Sequence, residues 1–366
     1  MSRSLRIGVL ASIAHRTPPR GYGPWEQIAA TLTEGLVALG HEVTLFATGD
    51  SITSAHLHAE APRGYEEDSS IDAKVYEGLH NAAAFERAKS FDIISNQFDF
   101  LPLTYSRLVT TPVVTTIHGF SSARILPVYQ AYADVGRYVA ISDADRQSSL
   151  RYEATIHHGI ELARFTFSAD PGSYLLFLGR IHPDKGTHRA IEVARRTGLP
   201  LVIAGIIHDE AYFRDLVEPH LRRPGVTYAG PVEPAERDAL LGGAFALLHL
   251  ISFAEPFGLS VVEALATGTP VIATRRGSMP ELIRHGETGF LVEDVAEAVD
   301  AIGRVPSLRR RDCRDDVQSR FTAERMVADY VSVFGRIVAG GPSATNRSMS
   351  RGRSTTANRT EESLAP

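Results

Sequence analysis

Two carboxylates, Glu255 and Glu263, bracket the segment Pro256-Phe257-Gly258-Leu259. The segment follows an apolar run and opens a helical pattern. Its backbone N–H groups, around Phe257, Gly258 and Leu259, are therefore expected at a helix N-terminus. Unpaired amides and the helix dipole make such a place an anion site. Glu263 sits one helical turn further in and can accept two hydrogen bonds from a vicinal diol such as a ribose. Glu255, before the turn, can reach a sugar hydroxyl on the other side of the same anion. Together the two acids would bracket a sugar nucleotide. Such a pair of acids alone is frequent by chance, as a solvated Glu and a helix-lining Glu; the strand–turn–helix setting gives it weight.

A second constellation lies upstream. Gly179 and Arg180 end an apolar stretch, and Lys185 follows five residues later. The glycine is expected to let the backbone turn at the strand's end. The guanidinium fork and the ammonium point charge both suit a diphosphate. Alone they are two surface cations; beside the Glu255/Glu263 pair they gain meaning. In the first half, Gly21 and Gly23 permit close approach of a ligand to the backbone, and Pro24 suits a first helical turn. Glu26 stands where a dinucleotide fingerprint would need its third glycine, and the next strand's end offers only Asp50 as its acid, so the residues argue against that fingerprint. His118-Gly119 ends another strand; a lone histidine there is more often structural than chemical. Asp143-Ala144-Asp145 spells a metal-binding triplet but reads as a helix cap. No histidine pair has ligand spacing, and His157-His158 are adjacent and cannot both face one metal. Arg309-Arg310-Arg311 reads as a solvated helix face.

The elements that must position these residues are legible as alternating apolar runs and amphipathic stretches. Strands are expected at 7–12, 42–47, 92–95, 113–117 and 138–141, then at 174–178, 201–204, 226–229, 245–250 and 270–273. Helices are expected at 25–39, 188–196, 210–221, 259–266, 279–284 and 323–338. Strands this apolar belong in a parallel sheet buried on both faces. The pattern restarts after a polar connection at 159–172, so two α/β units are expected, and 366 residues exceed what one core usually holds. The boundaries are set at 1–165 for a first domain, 166–320 for a second and 321–340 for a returning helix. The tail 341–366 is too poor in apolar residues to order itself, and its Asn346 and Asn358 triplets match glycosylation acceptors only by chance. Residues 56–74, rich in Glu, Asp and Ser, read as a surface excursion.

Composition narrows the rest. The chain carries 38 Lys+Arg against 43 Asp+Glu, a net charge of −5, which excludes a protein built to coat nucleic acid. A single cysteine, Cys313, excludes an intramolecular disulfide framework and a multi-cysteine metal cluster. No apolar run approaches the ~20 residues of a membrane-spanning helix. The N-terminal run lacks a signal-peptidase site and reads as a first strand, so a mature cytoplasmic protein is expected.

These residues resemble the retaining glycosyltransferases of family 4, which have the GT-B fold: two Rossmann-like α/β domains facing across a cleft, with a C-terminal helix crossing back to the first. The resemblance rests on Gly179-Arg180 with Lys185, Ala204-Gly205, Tyr228-Ala229-Gly230, Glu255 to Glu263, Gly268 to Val271 and Gly286 to Leu291. In the first half it rests on the glycine loop, His118-Gly119, Ser142 and Gly159-Ile160-Glu161. It covers about residues 5–338. It implies a nucleotide-diphosphate sugar donor, UDP favoured, and transfer to an acceptor hydroxyl without a metal or true cofactor. Arg180 and Lys185 would neutralise the diphosphate, and Gly179, Phe257, Gly258 and Leu259 would line it. Glu263 would hold the ribose and Glu255 the donor sugar. Ile206, Tyr228, Gly230 and Val232 would border the base. Gly21 and Gly23 would approach from across the cleft, and His118 would contact the transferred sugar. The acceptor, a saccharide or small natural product, would meet the first domain, with Tyr22, Trp25, Phe98, Phe100, Phe120 and Arg124 as wall residues. Three departures stand out: His158 replaces the usual Asn before Gly159, the glycine loop is interrupted by Tyr22, and Ile206-Ile207-His208 replace small turn formers. The rivals are another GT-B enzyme, such as a sugar-nucleotide epimerase or phosphorylase, and an inert sugar-nucleotide binder.

Overall fold

The computed structural model describes residues 3–119, 123–222 and 224–340. Phe120 and the tail therefore lie outside the described residues. Seven strands make a first sheet: β1 Arg6–Leu10, β2 Glu42–Phe46, β3 His56–His58, β4 Ile93–Asn96, β5 Val113–Ile117, β6 Arg137–Ala140 and β7 Tyr152–Thr155. Six make a second: β8 Tyr174–Leu178, β9 Leu201–Ala204, β10 Val226–Gly230, β11 Ala244–His249, β12 Val271–Thr274 and β13 Gly289–Val292. The first runs β3-β2-β1-β4-β5-β6-β7 and the second β10-β9-β8-β11-β12-β13. All pairings are parallel. The two orders are the same to their sixth strand, and each reverses direction beside its own first strand. That reversal opens a crevice at the carboxyl ends, between β1 and β4 and again between β8 and β11.

Strands β4, β5, β12 and β13 are buried throughout; apolar runs announce the first three, whereas β13 lies outside the expected strands. The chain differs from expectation where the signal is short or polar. Residues 56–74 are not wholly an excursion, because His56–His58 adds the edge strand β3 on β2. The helix expected at 210–221 is broken into Glu210–Leu216 and Glu218–Leu221, with Pro219 at the start of the second piece. No helix follows Asp143; its carboxylate instead accepts the Thr155 hydroxyl at 2.5 Å. Arg310 is not solvated. It is buried and donates to the carbonyls of Ser168, Gly242 and Ala244 and to Thr269 Oγ1, satisfying the ends of several elements at once.

The C-terminal helix Ala323–Val338 crosses back to the first domain. Its Met326, Val327, Tyr330, Val333 and Phe334 are buried with Ile7, Val9, Ile28 and Leu32 of that domain's core. Gly35 makes the approach possible, since a Cβ there would overlap Val327. Where the chain passes between the domains twice, the two passages bond to each other: Ile160 N donates to Phe321 O, and Ala323 N to Ile160 O, both at 2.9 Å. Gly159 leaves no room for a side chain against Thr322. Among the described residues no helix is long and apolar enough to cross a membrane.

Candidate active site

The second sheet's crevice collects the upstream cations and the downstream acids. Gly179 and Arg180 leave the end of β8; Lys185 ends a short turn beyond, and Glu255 lies in the loop after β11. Lys185 Nζ meets Glu255 Oε2 at 2.5 Å, both side chains largely buried. The same ammonium sits 4.7 Å from the Phe253 ring centre. His249, the last residue of β11, brings Nε2 to 3.4 Å from that oxygen, without hydrogen-bond alignment. Burial pushes the Glu255 carboxyl up, but His249 and Lys185 more than offset it and hold it at about 2. Glu255 is therefore an anion at any working pH. Arg180 has no carboxylate partner among the described residues. It is the cation left available for a ligand, while Lys185, expected at the diphosphate, is spent on Glu255 in this state.

The turn before the helix Leu259–Ala266 is shaped by glycine. Gly258 has φ +101° and caps the helix. The amides of Leu259 and Ser260 have no backbone partner among the described residues, so the first turn offers donors to a ligand. Phe257 contributes only its backbone to this face. Its ring is buried against His158, 4.9 Å away, and Phe321. Glu263 is buried on the same helix with Arg237 3.5 Å from its Oε1; burial raises its pKa, and Arg237 and Arg164 oppose the rise.

At the adjoining edge, Gly179 has an ordinary backbone, and a Cβ on it would meet nothing nearer than 4.0 Å. The glycine that the turn requires is Gly205, with φ +140°, whose Cβ would overlap the Gly179 carbonyl. The loop is pinned by Gly179 N to Ala204 O at 3.0 Å and Gly205 N to Gly230 O at 2.8 Å. Ile206 O accepts from Ile181 N. Tyr228 gives its hydroxyl to Gly205 O at 2.9 Å and packs its ring on Phe213, so its contacts hold the turn. Gly230 and Val232 follow at the end of β10.

Across the cleft, the loop after β1 carries Gly21 and Gly23. Gly21 is open on all sides, whereas Gly23, with φ +153°, would clash with Pro19 if substituted. Tyr22 is half exposed and within electrostatic reach of Arg180 and Glu255. Gly119, with φ +132°, lets its loop close on the second domain; a Cβ there would lie 2.6 Å from Pro256 Cγ.

His118 is buried and stacked on Trp25, ring centres 5.5 Å apart. Its Nε2 donates to Gln97 Oε1 at 3.0 Å, which leaves Nδ1 to accept from His158 Nε2 at 3.4 Å. Gln97 in turn donates to Ser95 and Thr116, and Thr116 bonds Tyr330 of the crossing helix at 2.8 Å. Burial pushes His118 down to about 3 and His158 well below its ordinary value. His118 is thus a neutral imidazole with both nitrogens engaged. His157 faces away, to Glu281 at 2.9 Å.

Of the expected wall residues, Trp25 is committed to His118, and Phe98 is a core residue packed near Phe91 and His80 rather than a wall. Phe100 packs beside Tyr129 and Tyr138, and Arg124 is exposed. Sequence reasoning missed a set of acids at the first sheet's crevice. Glu26 is buried there, Tyr65 bonds Glu77, and Tyr129 donates to Asp99 at 3.0 Å. Burial raises the pKa of both Glu77 and Asp99. No spacing rule joins positions this far apart in the chain. Among the described residues no three His, Cys, Asp or Glu side chains gather as metal ligands would.

Residues 26–164 match the family described as Glycosyltransferase Family 4, and residues 161–315 that described as Glycosyl transferases group 1. A glycogen synthase of Mycobacterium tuberculosis is 32% identical over 189 residues, covering 48% of this chain and 44% of that protein. A D-inositol 3-phosphate glycosyltransferase of Pseudarthrobacter chlorophenolicus is 30% identical over 269 residues, 60% of this chain and 64% of that one. The chain thus aligns with about half of the length of these relatives. Among solved structures, AviGT4, a glycosyltransferase involved in avilamycin A biosynthesis, superposes with TM-score 0.68 at 22% identity, covering 92% of this chain and 99% of that one. Anabaena Alr3699/HepE in complex with UDP and glucose superposes with TM-score 0.69 at 17% identity, covering 90% and 99%. At such identities the likeness is one of fold.

Proposed function

The chain belongs to the family 4 glycosyltransferases of the GT-B fold, and from that premise we propose that it moves a sugar, with retention at the anomeric carbon, from a nucleotide-diphosphate donor to an acceptor hydroxyl. The observation that carries the reading is the crevice between β8 and β11. It holds a guanidinium, Arg180, beside a carboxylate held ionised, Glu255, next to a helix start, and neither Arg180 nor the first amides of that helix have a partner among the described residues. Arg180 meets the diphosphate, joined by Lys185 and the amides near Gly258 and Leu259. Glu255 accepts from the donor sugar and Glu263 from the ribose. Gly179 and Gly21 leave room for the backbone to approach, and Ile206, Gly230 and Val232 border the base. The fixed charges stabilise negative charge as it develops on the leaving diphosphate. The acceptor oxygen arrives from the face the diphosphate leaves and passes its proton to the departing diphosphate oxygen as the bond from the anomeric carbon to that oxygen breaks, and no side chain among the described residues is assigned as a nucleophile. His118, neutral and locked, orients the loop against the sugar rather than exchanging protons.

UDP is the favoured carrier, and the HepE complex with UDP and glucose supports that choice. The acceptor is a saccharide or natural product held by the first domain, facing Tyr22, Glu77 and Asp99; the likeness to AviGT4 supports a role in natural-product oligosaccharide assembly. The test is an assay of UDP-sugars with a saccharide acceptor panel in EDTA, with the anomeric configuration of the product read by NMR. Retained configuration with UDP release is expected. Conversion without acceptor would mark an epimerase, dependence on phosphate a phosphorylase, and binding without turnover an inert binder.

A further inference from the structure

The strand β11 is apolar and buried at Ala244, Ala246, Leu247 and Leu248, yet it ends in a histidine only 5% exposed. His249 Nε2 is buried and makes no hydrogen bond. A buried imidazole nitrogen left so weakens the fold, so its place calls for a reason. Among the described residues the only carboxylate in ion-pair range of it is Glu255, and the oxygen it faces, Oε2, is the one that Lys185 also holds. Among the described residues no donor reaches Oε1 of Glu255. Two groups thus converge on one oxygen and leave the other open.

We propose that His249 is a positioning residue of the donor-sugar site: with Lys185 it fixes Glu255 Oε2 and so presents Oε1 to a sugar hydroxyl. The inference rests on the assignment of Glu255 to the donor sugar. It also explains how Glu255 keeps its orientation when Lys185 is drawn toward a bound diphosphate, because His249 lies in the strand and cannot follow the ligand. Nothing in the segment Glu255 to Glu263 signals this role, since the histidine precedes it in a run that reads as plain core.

The test separates sugar from nucleotide. The full chain is titrated calorimetrically with UDP and with UDP-glucose, as wild type, His249→Leu, His249→Gln, Glu255→Gln and His249→Leu/Glu255→Gln. Glu255 touches the sugar alone, so His249→Leu is expected to weaken UDP-glucose about tenfold, the worth of one charge-assisted hydrogen bond, while UDP changes less than about twofold. His249→Gln, which keeps an N–H donor, should recover part of the loss. The double variant should bind no worse than Glu255→Gln, as coupled neighbours do. Equal weakening of both ligands by His249→Leu would mean a merely structural histidine and overturn the proposal, as would no change in either. If the leucine variant does not fold, His249→Gln carries the same comparison. A Glu255→Gln variant with unchanged preference for UDP-glucose over UDP would remove the premise itself. So would a wild type that binds none of UDP-, GDP-, TDP- and ADP-glucose.

Discussion

Arg180 and Lys185 look alike in the sequence, but the fold gives them different work. Lys185 is neutralised by Glu255 at 2.5 Å, and Arg180 by nothing within the described residues. A guanidinium left unpaired in a charged crevice is stabilised by what binds there. Arg180→Ala is expected to lower kcat/KM by about 10²–10³, the usual cost of removing one fixed group that faces developing charge, with the melting temperature unchanged in the absence of ligand. A loss below about threefold in steady-state assay would remove Arg180 from the leaving-group site. Three other residues act through protonation. Burial pushes His80 down to about 4, His118 to about 3 and His158 well below its ordinary value. Their contribution to stability is fully present above the unfolded value near 6.5 and is lost as pH falls toward the folded values, because there the unfolded chain binds protons that the folded chain refuses. Each histidine removes about 1.4 kcal/mol per pH unit in that window. Between pH 6.5 and 5, where Glu255, held at about 2, is ionised throughout, urea midpoints should fall steeply, and His118→Gln should flatten the slope. A midpoint independent of pH would show that these histidines are not buried neutral.

At the scale of elements, legibility followed apolar run length more than burial, since the buried four-residue strand Gly289–Val292 is not among the expected strands and the half-exposed Val226–Gly230 is. Strands such as Val113–Ile117 and Tyr174–Leu178 are readable because both faces demand apolar side chains. The short strands His56–His58 and Tyr152–Thr155 are not, because an edge strand needs little apolar surface and carries polar residues freely. The segment around Glu255 is legible because its turn and its helix start are local. The meeting of Lys185 with Glu255 spans 70 residues, and that of His118 with His158 spans 40, so no local pattern could announce either. Glycine follows the same division. The sequence marks Gly179 as the turn former, yet the structural demand falls on Gly205, where a positive φ and the Gly179 carbonyl exclude a Cβ. Gly205→Ala should therefore destabilise the chain by about 1–3 kcal/mol and weaken nucleotide binding through the displaced β8 loop. Gly179→Ala should leave the melting temperature within a degree or so and act only on ligand affinity. Thermal melts with and without UDP distinguish the two, and equal destabilisation by both would refute the assignment.

The whole molecule joins its two sheets through few elements, and those elements are shared. The passage at Gly159–Ile160 and the passage at Phe321–Ala323 bond to each other, and Arg325 of the crossing helix donates to the His157 carbonyl. From there Tyr330 reaches Thr116, whose Gln97 neighbour holds His118 at the cleft. The crossing helix is therefore both a piece of the first core and the tie between that core and the hinge. Its removal from the core would cost the first domain five buried apolar side chains, each worth roughly 1.5–3 kcal/mol, against a typical domain stability of about 5–15 kcal/mol. The second sheet loses none of its own core residues in the same event. A charge at Val327, against Gly35, attacks this seam alone. Val327→Asp should turn a single calorimetric transition into two, the lower one belonging to the first domain. The upper one should still rise with UDP by mass action, because the nucleotide side of the crevice lies in the second domain. One transition shifted as a block would mean that the crevice cannot form without the first domain, and would relocate nucleotide binding to the interface itself.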